Sequence, residues 1–238
     1  FYISHAFNED LAMMFEKKIK ETFEGANGAI DIDSVKAIAE QLNRVRKLGV
    51  RLGIVVGGGN FWRGRSAQGL ERATADGIGM LATVMNASAL GSVMSDMGIP
   101  NKVVSAVPVE KVADRYYLPE IKSFLNDGIV VFGGGTGSPF FSTDTAAGLR
   151  ACEICADAVV CSKAVDGIYD KDPVTHADAV KFDEISYDEV ISKNLKAMDL
   201  TAIAMAKEFG ITLLVYGKNE PDGLIRVLKG EKLGTIVK

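Results

Sequence analysis

The chain has 238 residues, 47% of them hydrophobic and 24% charged, with a formal net charge of -4. That length and apolar content suit one large domain or two closely joined lobes around a sizeable core, while the acidic balance argues against the basic face that nucleic-acid binding needs. No apolar run approaches the roughly 18 residues of a bilayer span, and the N-terminus lacks the basic and apolar regions of a signal peptide, so a cytoplasmic protein with neither membrane nor nucleic-acid partners is expected.

Taken in order, the elements alternate between strand and helix. Asn8–Phe23 reads as a capped amphipathic helix, with Leu11, Met14, Phe15, Ile19 and Phe23 as its apolar stripe. Val35, Ile38, Ala39, Leu42, Val45 and Leu48 recur at helical spacing over residues 34–48, and Gly49 closes that helix before a strand at 50–56. A long helix rich in Ala, Met and Leu over 75–97 is too apolar for a surface element and reads as core or subunit interface. Then come a strand at Lys102–Ala106, a polar helix near 116–126, a strand at 129–132, a helix from Thr143 to Cys155 and a strand at Asp157–Cys161. A helix around 197–208, a strand at Thr212–Tyr216, a short helix near 221–229 and Gly234–Val237 complete the chain. Such alternation implies an α/β fold: a mostly parallel sheet covered on both faces, with ligands gathered where loops leave the carboxyl ends of strands.

Two glycine loops lie at such ends. Ile54-Val55-Val56 breaks into Gly57-Gly58-Gly59 and runs on to Arg63. Consecutive glycines let main-chain N–H groups approach an anion and permit positive φ, and an arginine fork suits phosphate oxygens. Tight turns and close strand–helix packing select glycine as well. The second loop, Gly133 to Asp144, adds hydroxyls and a carboxylate, and the two loops can face one another across one cleft.

Other residue types narrow the chemistry. Cys152 and Cys155 form a C-x-x-C pair on a helix face and Cys161 follows nearby, a pattern read as buried apolar cysteines rather than a redox or metal site. With only His5 and His176, the chain has little material for a histidine-based metal centre or a Ser/His/Asp triad, so any metal is expected to be a hard ion held by carboxylates and ligand phosphates. Val165 to Pro173 is a polar segment with Tyr169 and several carboxylates, which taken alone is a solvated turn. Asp76 and Asp144 each stand near a helix start, where capping competes with a ligand role.

The runs GGGNFWRGR at 57–65, RATADGIGMLATVMNA at 72–87, GTGSPFFSTDTAA at 135–147, VDGIYDKDP at 165–173 and MDLTA at 198–202 resemble the bacterial uridylate (UMP) kinases of the amino acid kinase family, in uninterrupted order over about residues 30–238. The resemblance implies a three-layer αβα sandwich of the carbamate kinase-like kind in a single domain over 1–238. Residues up to about 150 would form the UMP-binding and oligomerising lobe, and residues 151–238 the ATP-binding lobe. It also implies Mg-ATP and UMP as partners, Mg²⁺ as cofactor and a homo-hexamer.

Residue by residue, the resemblance places Gly58 and Asp76 at UMP, with Thr136, Gly137, Ser138, Pro139, Phe140, Phe141, Ser142 and Thr143 wrapping it. Gly59 and Arg63 fall beside the transferring phosphoryl group, and Tyr169 and Asp172 at the adenine nucleotide. Asp144 is implied to orient a lysine or the metal, and Lys163 to serve the nucleotide, although a surface lysine at a strand end is an equal reading.

The N-terminus departs from the family, whose members open with a strand ending in Lys-x-Ser-Gly-Glu. In the preferred register the early buried strand that the sheet needs is Phe1–Ser4, and Tyr2, Ser4 and His5 take the places of the motif's lysine, serine and glycine, leaving Ser4 as the contact to ATP. In the other register Lys17-Lys18-Ile19-Lys20 replaces the motif and keeps a lysine. The implied activity is transfer of a phosphoryl group from Mg-ATP to UMP. The alternative is a catalytically impaired paralogue that binds nucleotides or anions for regulation or storage.

Overall fold

The computed structural model describes residues 12–17, 30–62, 64, 69–195 and 198–238. The first described element is a strand, β1 (Ala12–Lys17), paired in parallel with β2 (Arg51–Val56) on one side and β6 (Ala158–Lys163) on the other. The expected helix over Asn8–Phe23 is therefore overturned at its centre. Leu11 to Phe15 is a short apolar run that fits a buried strand as well as a helical stripe, and the ladders on both sides decide it. Met13 and Met14, successive strand residues, are both fully buried and enter opposite cores. The strand expected at Phe1–Ser4, and Ser4 itself, lie outside the described residues.

The remaining elements follow the expected alternation with small shifts of boundary. Asp31 caps α1 (Ile32–Arg46), its carboxylate accepting from the N–H groups of Asp33 and Ser34. After β2 come α2 (Arg72–Asp96), β3 (Asn101–Ser105), a two-residue β4 (Asp114–Arg115) and α3 (Leu118–Phe124). The chain continues through β5 (Ile129–Gly133), α4 (Thr143–Ile154) and β6 to a small hairpin, β7 (Ile168–Tyr169) with β8 (Lys181–Phe182). It ends with β9 (Glu184–Ile185), α5 (Tyr187–Ser192), α6 (Leu200–Glu208), β10 (Thr212–Gly217), α7 (Gly223–Leu228) and β11 (Thr235–Val237). The elements from β7 to α5, like β4, are too short to impose a periodicity on the sequence.

Among the described residues one sheet of nine strands runs in the order β4-β3-β5-β2-β1-β6-β10-β11-β9. Only the β10–β11 junction is antiparallel. One face packs Met14, Val55, Phe132, Val159 and Val215 under α4 and α6. The other packs Met13, Ile54, Val131, Val160 and Leu214 under α1, α2 and α7. This is the expected three-layer αβα sandwich. Chain order reverses at β1, with β2 on one side and β6 on the other, so the carboxyl ends of these strands open the crevice where such sheets bind ligands.

Helix α2 spans 25 residues and is long and apolar enough by composition to cross a bilayer, contrary to the sequence expectation. Half of its most apolar stretch is buried inside the protein, and Ala87, Leu90 and Met94 belong to the core. Ile78, Leu81 and Met85 form an exposed apolar face on the other side.

One backbone position near the C-terminus tolerates no side chain. Gly234 has a φ of +76°, and a Cβ there would stand 1.9 Å from the carbonyl oxygen of Val215. Left-handed backbone and overlap with a central strand together set the cost of Gly234→Ala at about 2–4 kcal/mol. Urea denaturation followed by circular dichroism should show this loss with an unchanged denaturant slope.

Candidate functional site

Both glycine loops pack onto the same helix. Gly58 has no room for a side chain, because a Cβ would meet Ala82 Cβ at 2.8 Å, Gly79 O at 2.9 Å and Thr83 N at 2.9 Å. The first loop thus needs glycine for close approach to α2, and Gly57 and Gly58 do not use positive φ, unlike the sequence expectation. Asn86, fully buried, donates from Nδ2 to Gly57 O at 2.7 Å and to Asn60 Oδ1 at 2.7 Å, holding the loop by its main chain. Three residues earlier on α2, Thr83 Oγ1 accepts from the Gly134 N–H at 2.7 Å and so holds the second loop. Left-handed glycines belong to that loop, at Gly134, Gly135 and Gly137.

Asp76 is the third tie. Helix α2 begins at Arg72, so Asp76 sits in its second turn and is not a cap. Its Oδ2 accepts from Arg72 Nε at 2.8 Å and from the Phe140 N–H at 2.9 Å. Phe140 itself has a φ of +74°, a conformation that a bulky residue adopts only when its surroundings impose it. From the far side Arg150, 3% exposed, donates to Gly135 O at 3.0 Å, while its guanidinium stacks over the Tyr116 ring at 4.2 Å and pairs with Glu153 at 2.6 Å.

Helix α4 opens on Ser142, whose side chain accepts from the Thr145 N–H. Asp144, one residue inside the first turn, is buried and paired with Lys163: Nζ donates to Oδ1 at 2.9 Å, with the side chains 11% and 7% exposed respectively. Its other oxygen accepts from the Asp199 N–H at 3.3 Å. Asp144 therefore holds a lysine, the role set against simple capping, and Lys163 is not a surface lysine. Lys17 closes β1 in register with Val56 and Ser162, at the same carboxyl end of the sheet. That favours the second N-terminal register.

Between the loops lies a cleft of about 440 Å³, lined by Gly58, Gly59, Asp76, Thr136, Ser138, Phe141, Ser142, Thr143 and Asp144 of the expected set, together with Trp62, Arg72, Met80 and Thr83. Gly137 and Pro139 lie within the same loop but off the cleft wall, and the Phe140 ring projects outward, 63% exposed. Arg63 lies outside the described residues.

Tyr169 and Asp172 are not part of this cleft. The Tyr169 hydroxyl donates to Asp166 at 2.7 Å, which raises its pKa, and Lys181 donates to the other Asp166 oxygen at 2.9 Å. Burial pushes the Asp166 carboxyl up, but the hydrogen bonds from Tyr169 and Lys181 outweigh it and the net shift is downward. Asp172 accepts from the Val174 N–H at 2.9 Å in an exposed turn, which is the solvated-turn reading.

Burial raises the Cys152 thiol, away from the reactive thiolate, and the three cysteines form no disulfide; Cys161 is buried as expected, whereas Cys155 is exposed. No group of three His, Cys, Asp or Glu side chains among the described residues forms a metal cage. The donor set fits a hard ion carried largely by ligand phosphates, with Asp144 the buried carboxylate at the cleft.

Residues 22–217 match the amino acid kinase family. The chain belongs to that family. Its fold is similar to the crystal structure of UMP kinase from Ureaplasma parvum, with 31% identity, a TM-score of 0.88 and coverage of 96% of this chain and 98% of that one. UMP kinase from Bacillus anthracis gives 29% identity and a TM-score of 0.89 over 97% and 96% of the two chains. Uridylate kinase from Archaeoglobus fulgidus gives 26% and 0.72 over 96% and 100%.

Sequence reasoning passed over Thr83, Asn86 and Arg150. The signal was there: two polar residues inside an apolar helix, and an arginine inside the small-residue helix α4.

Removing one member of the buried pair takes from the other its ion-pair partner. Asp144→Leu should destabilise the protein by about 3–5 kcal/mol, and adding Lys163→Met should recover at least half of that loss. Guanidinium titration of the two variants beside the parent checks both figures.

Proposed function

We propose that this amino acid kinase family protein is a UMP kinase, transferring the γ-phosphoryl group of Mg-ATP to UMP to give UDP and ADP. The observation that carries the reading is the cleft itself. Two glycine loops tied to one helix meet Asp76 on one side and, on the other, Asp144, whose partner Lys163 stands behind it, off the cleft wall. The likeness to UMP kinases over nearly the whole chain supports it.

Phosphoryl transfer between two anions asks for alignment and for charge to be cancelled as it spreads over the oxygens. In this reading Gly58, Asp76 and the segment Thr136 to Thr143 hold UMP, with Phe141 on the wall of the cleft. Gly59 and Arg63 meet the phosphoryl group, and Tyr169 and Asp172 take the adenine end of ATP. Lys163, its ammonium fixed by Asp144, neutralises charge on the transferring group, and Lys17 supplies the lysine of the missing Lys-x-Ser-Gly-Glu motif. Mg²⁺ bound with ATP would offset phosphate charge, and in this reading Asp144 would be the carboxylate to hold it. The exposed Ile78, Leu81 and Met85 face of α2 suits burial in a homo-hexamer, and the setting is cytoplasmic.

The departure at the N-terminus favours a second reading, an impaired paralogue that binds uridine nucleotides without turnover. A coupled assay of ADP formation with UMP, CMP and no acceptor, run beside calorimetry with UMP, separates the two. The kinase reading expects UMP-dependent turnover, lowered on the order of 10²- to 10³-fold in Lys17→Met, as for loss of one preorganised charge. Tight UMP binding without turnover would establish the paralogue, and absence of both would remove uridylate chemistry altogether.

A further inference from the structure

The hairpin β7–β8 carries Tyr169 and leads on to Asp172, and a hydroxyl from the end of the chain meets it at its base. Thr235, fully buried at the start of β11, accepts from the Ile168 N–H at 2.8 Å and donates to the Phe182 carbonyl oxygen. Ile168 and Phe182 face one another in the hairpin register, so one side chain bridges both strands at a single pair. Gly167 makes the close approach possible, because a Cβ there would stand 2.8 Å from Thr235 Oγ1 and 2.9 Å from Lys181 Cδ. On its own strand Thr235 is in register with Val215 of β10, so the bridge fastens the hairpin to the large sheet.

We infer that Thr235 is a positioning residue, which fixes the hairpin against the sheet and so sets where Tyr169 stands at the adenine end of ATP. The inference rests on the proposed kinase function for the role of Tyr169, but the bridge itself does not. On its outer side the hairpin is tied by Asp166, which accepts from the Tyr169 hydroxyl and from Lys181. That ion pair stands in solvent, with the lysine and aspartate side chains 33% and 48% exposed, and exposed pairs hold a geometry weakly. The hydroxyl bridge is out of water, where a main-chain N–H or carbonyl that loses a partner bears the full cost of its desolvation. Of these two ties the buried one is therefore the stiffer, and Tyr169 is the next residue along from Ile168.

Thr235→Val keeps the shape of the side chain and removes the hydroxyl, whereas Thr235→Ser keeps the hydroxyl. Gly167→Ala sets a methyl group against that hydroxyl, disturbs the same contact from the hairpin side, and replaces the valine variant should that one not fold. Tyr169→Ala, alone and combined with Thr235→Val, reports whether Thr235 acts through the ring. Each protein is measured in steady-state kinetics with ATP and UMP varied in turn, in calorimetry with ATP, and by hydrogen exchange of the peptide that holds the Ile168 amide, read by mass spectrometry.

Tyr169→Ala should raise KM for ATP about five- to hundredfold, the range for loss of an aromatic ring stacked on a base. Thr235→Val should raise it about three- to tenfold while kcat and KM for UMP stay within about twofold, because a small displacement weakens the one contact displaced. Thr235→Ser should match the parent within about twofold, and on the Tyr169→Ala background Thr235→Val should add less than about twofold, as expected when two residues act as a unit. The Ile168 amide should exchange on the order of tenfold faster in Thr235→Val. An unchanged KM for ATP in that variant would overturn the inference. So would an equal rise in KM for UMP, a loss in Thr235→Ser as large as with valine, or full additivity with Tyr169→Ala. If the parent gives no turnover, the kinase reading fails on its own, and ATP affinities from calorimetry carry the same comparisons in place of KM. A parent that binds no ATP would overturn the inference as well.

Discussion

Everything at the candidate site depends on how closely two loops approach helix α2. Gly58 lies against Gly79, Ala82 and Thr83 with no space for a methyl group, and the buried side chains of Asn86 and Thr83 each satisfy one main-chain group of a loop. Buried loop backbone is costly unless its polar groups find partners. These two side chains provide them from inside an apolar helix, so the loops stand rigidly at the ends of β2 and β5. Asp76, about two to three turns earlier on the same helix, catches the second loop again at Phe140. A single element therefore sets the width of the cleft.

The opposite wall is electrostatic. Asp144 and Lys163 are both largely out of water, where an unpaired charge is expensive and a paired one is held in a narrow range of geometries. The pair sits at the start of α4, and the N-termini of α4 and α6 converge on it through Ser142, Thr145 and Asp199. An ammonium in such a place carries its charge without the solvent reorganisation that a free lysine would need. This is the property that transfer between two anions requires.

Several features were legible from residue pattern. Val35 to Val45 announced α1 by its spacing, and five of the six expected apolar positions are buried, Leu48 lying exposed beyond the helix end. The apolar runs ending in glycine announced β2 and β5, and the five ordered motifs pointed to the family. Others were ambiguous for physical reasons. Leu11 to Phe15 carries no period that separates a short buried strand from a helix. The Gly57 to Gly59 run could serve φ, anion approach or packing, and the structure assigns Gly58 to packing against α2. Thr83 and Asn86 looked like minor breaks in an apolar stripe until the loops were seen to end on them.

By itself the sequence determined the layer architecture, the positions of both glycine loops at strand ends, and the membership of the chain in its family. All of these follow from local periodicity and from motifs contiguous in the chain. Only the tertiary structure decided that β1 is the central strand, that Lys163 belongs to Asp144, and that Asp199 ties the N-termini of α4 and α6 together. The reason is separation along the chain: the partners of the ion pair are 19 positions apart, and Asp144 and the Asp199 N–H are 55 positions apart. Contacts of that kind leave no period in a sequence, and come into being only when the parallel ladders stack the ends of distant strands side by side.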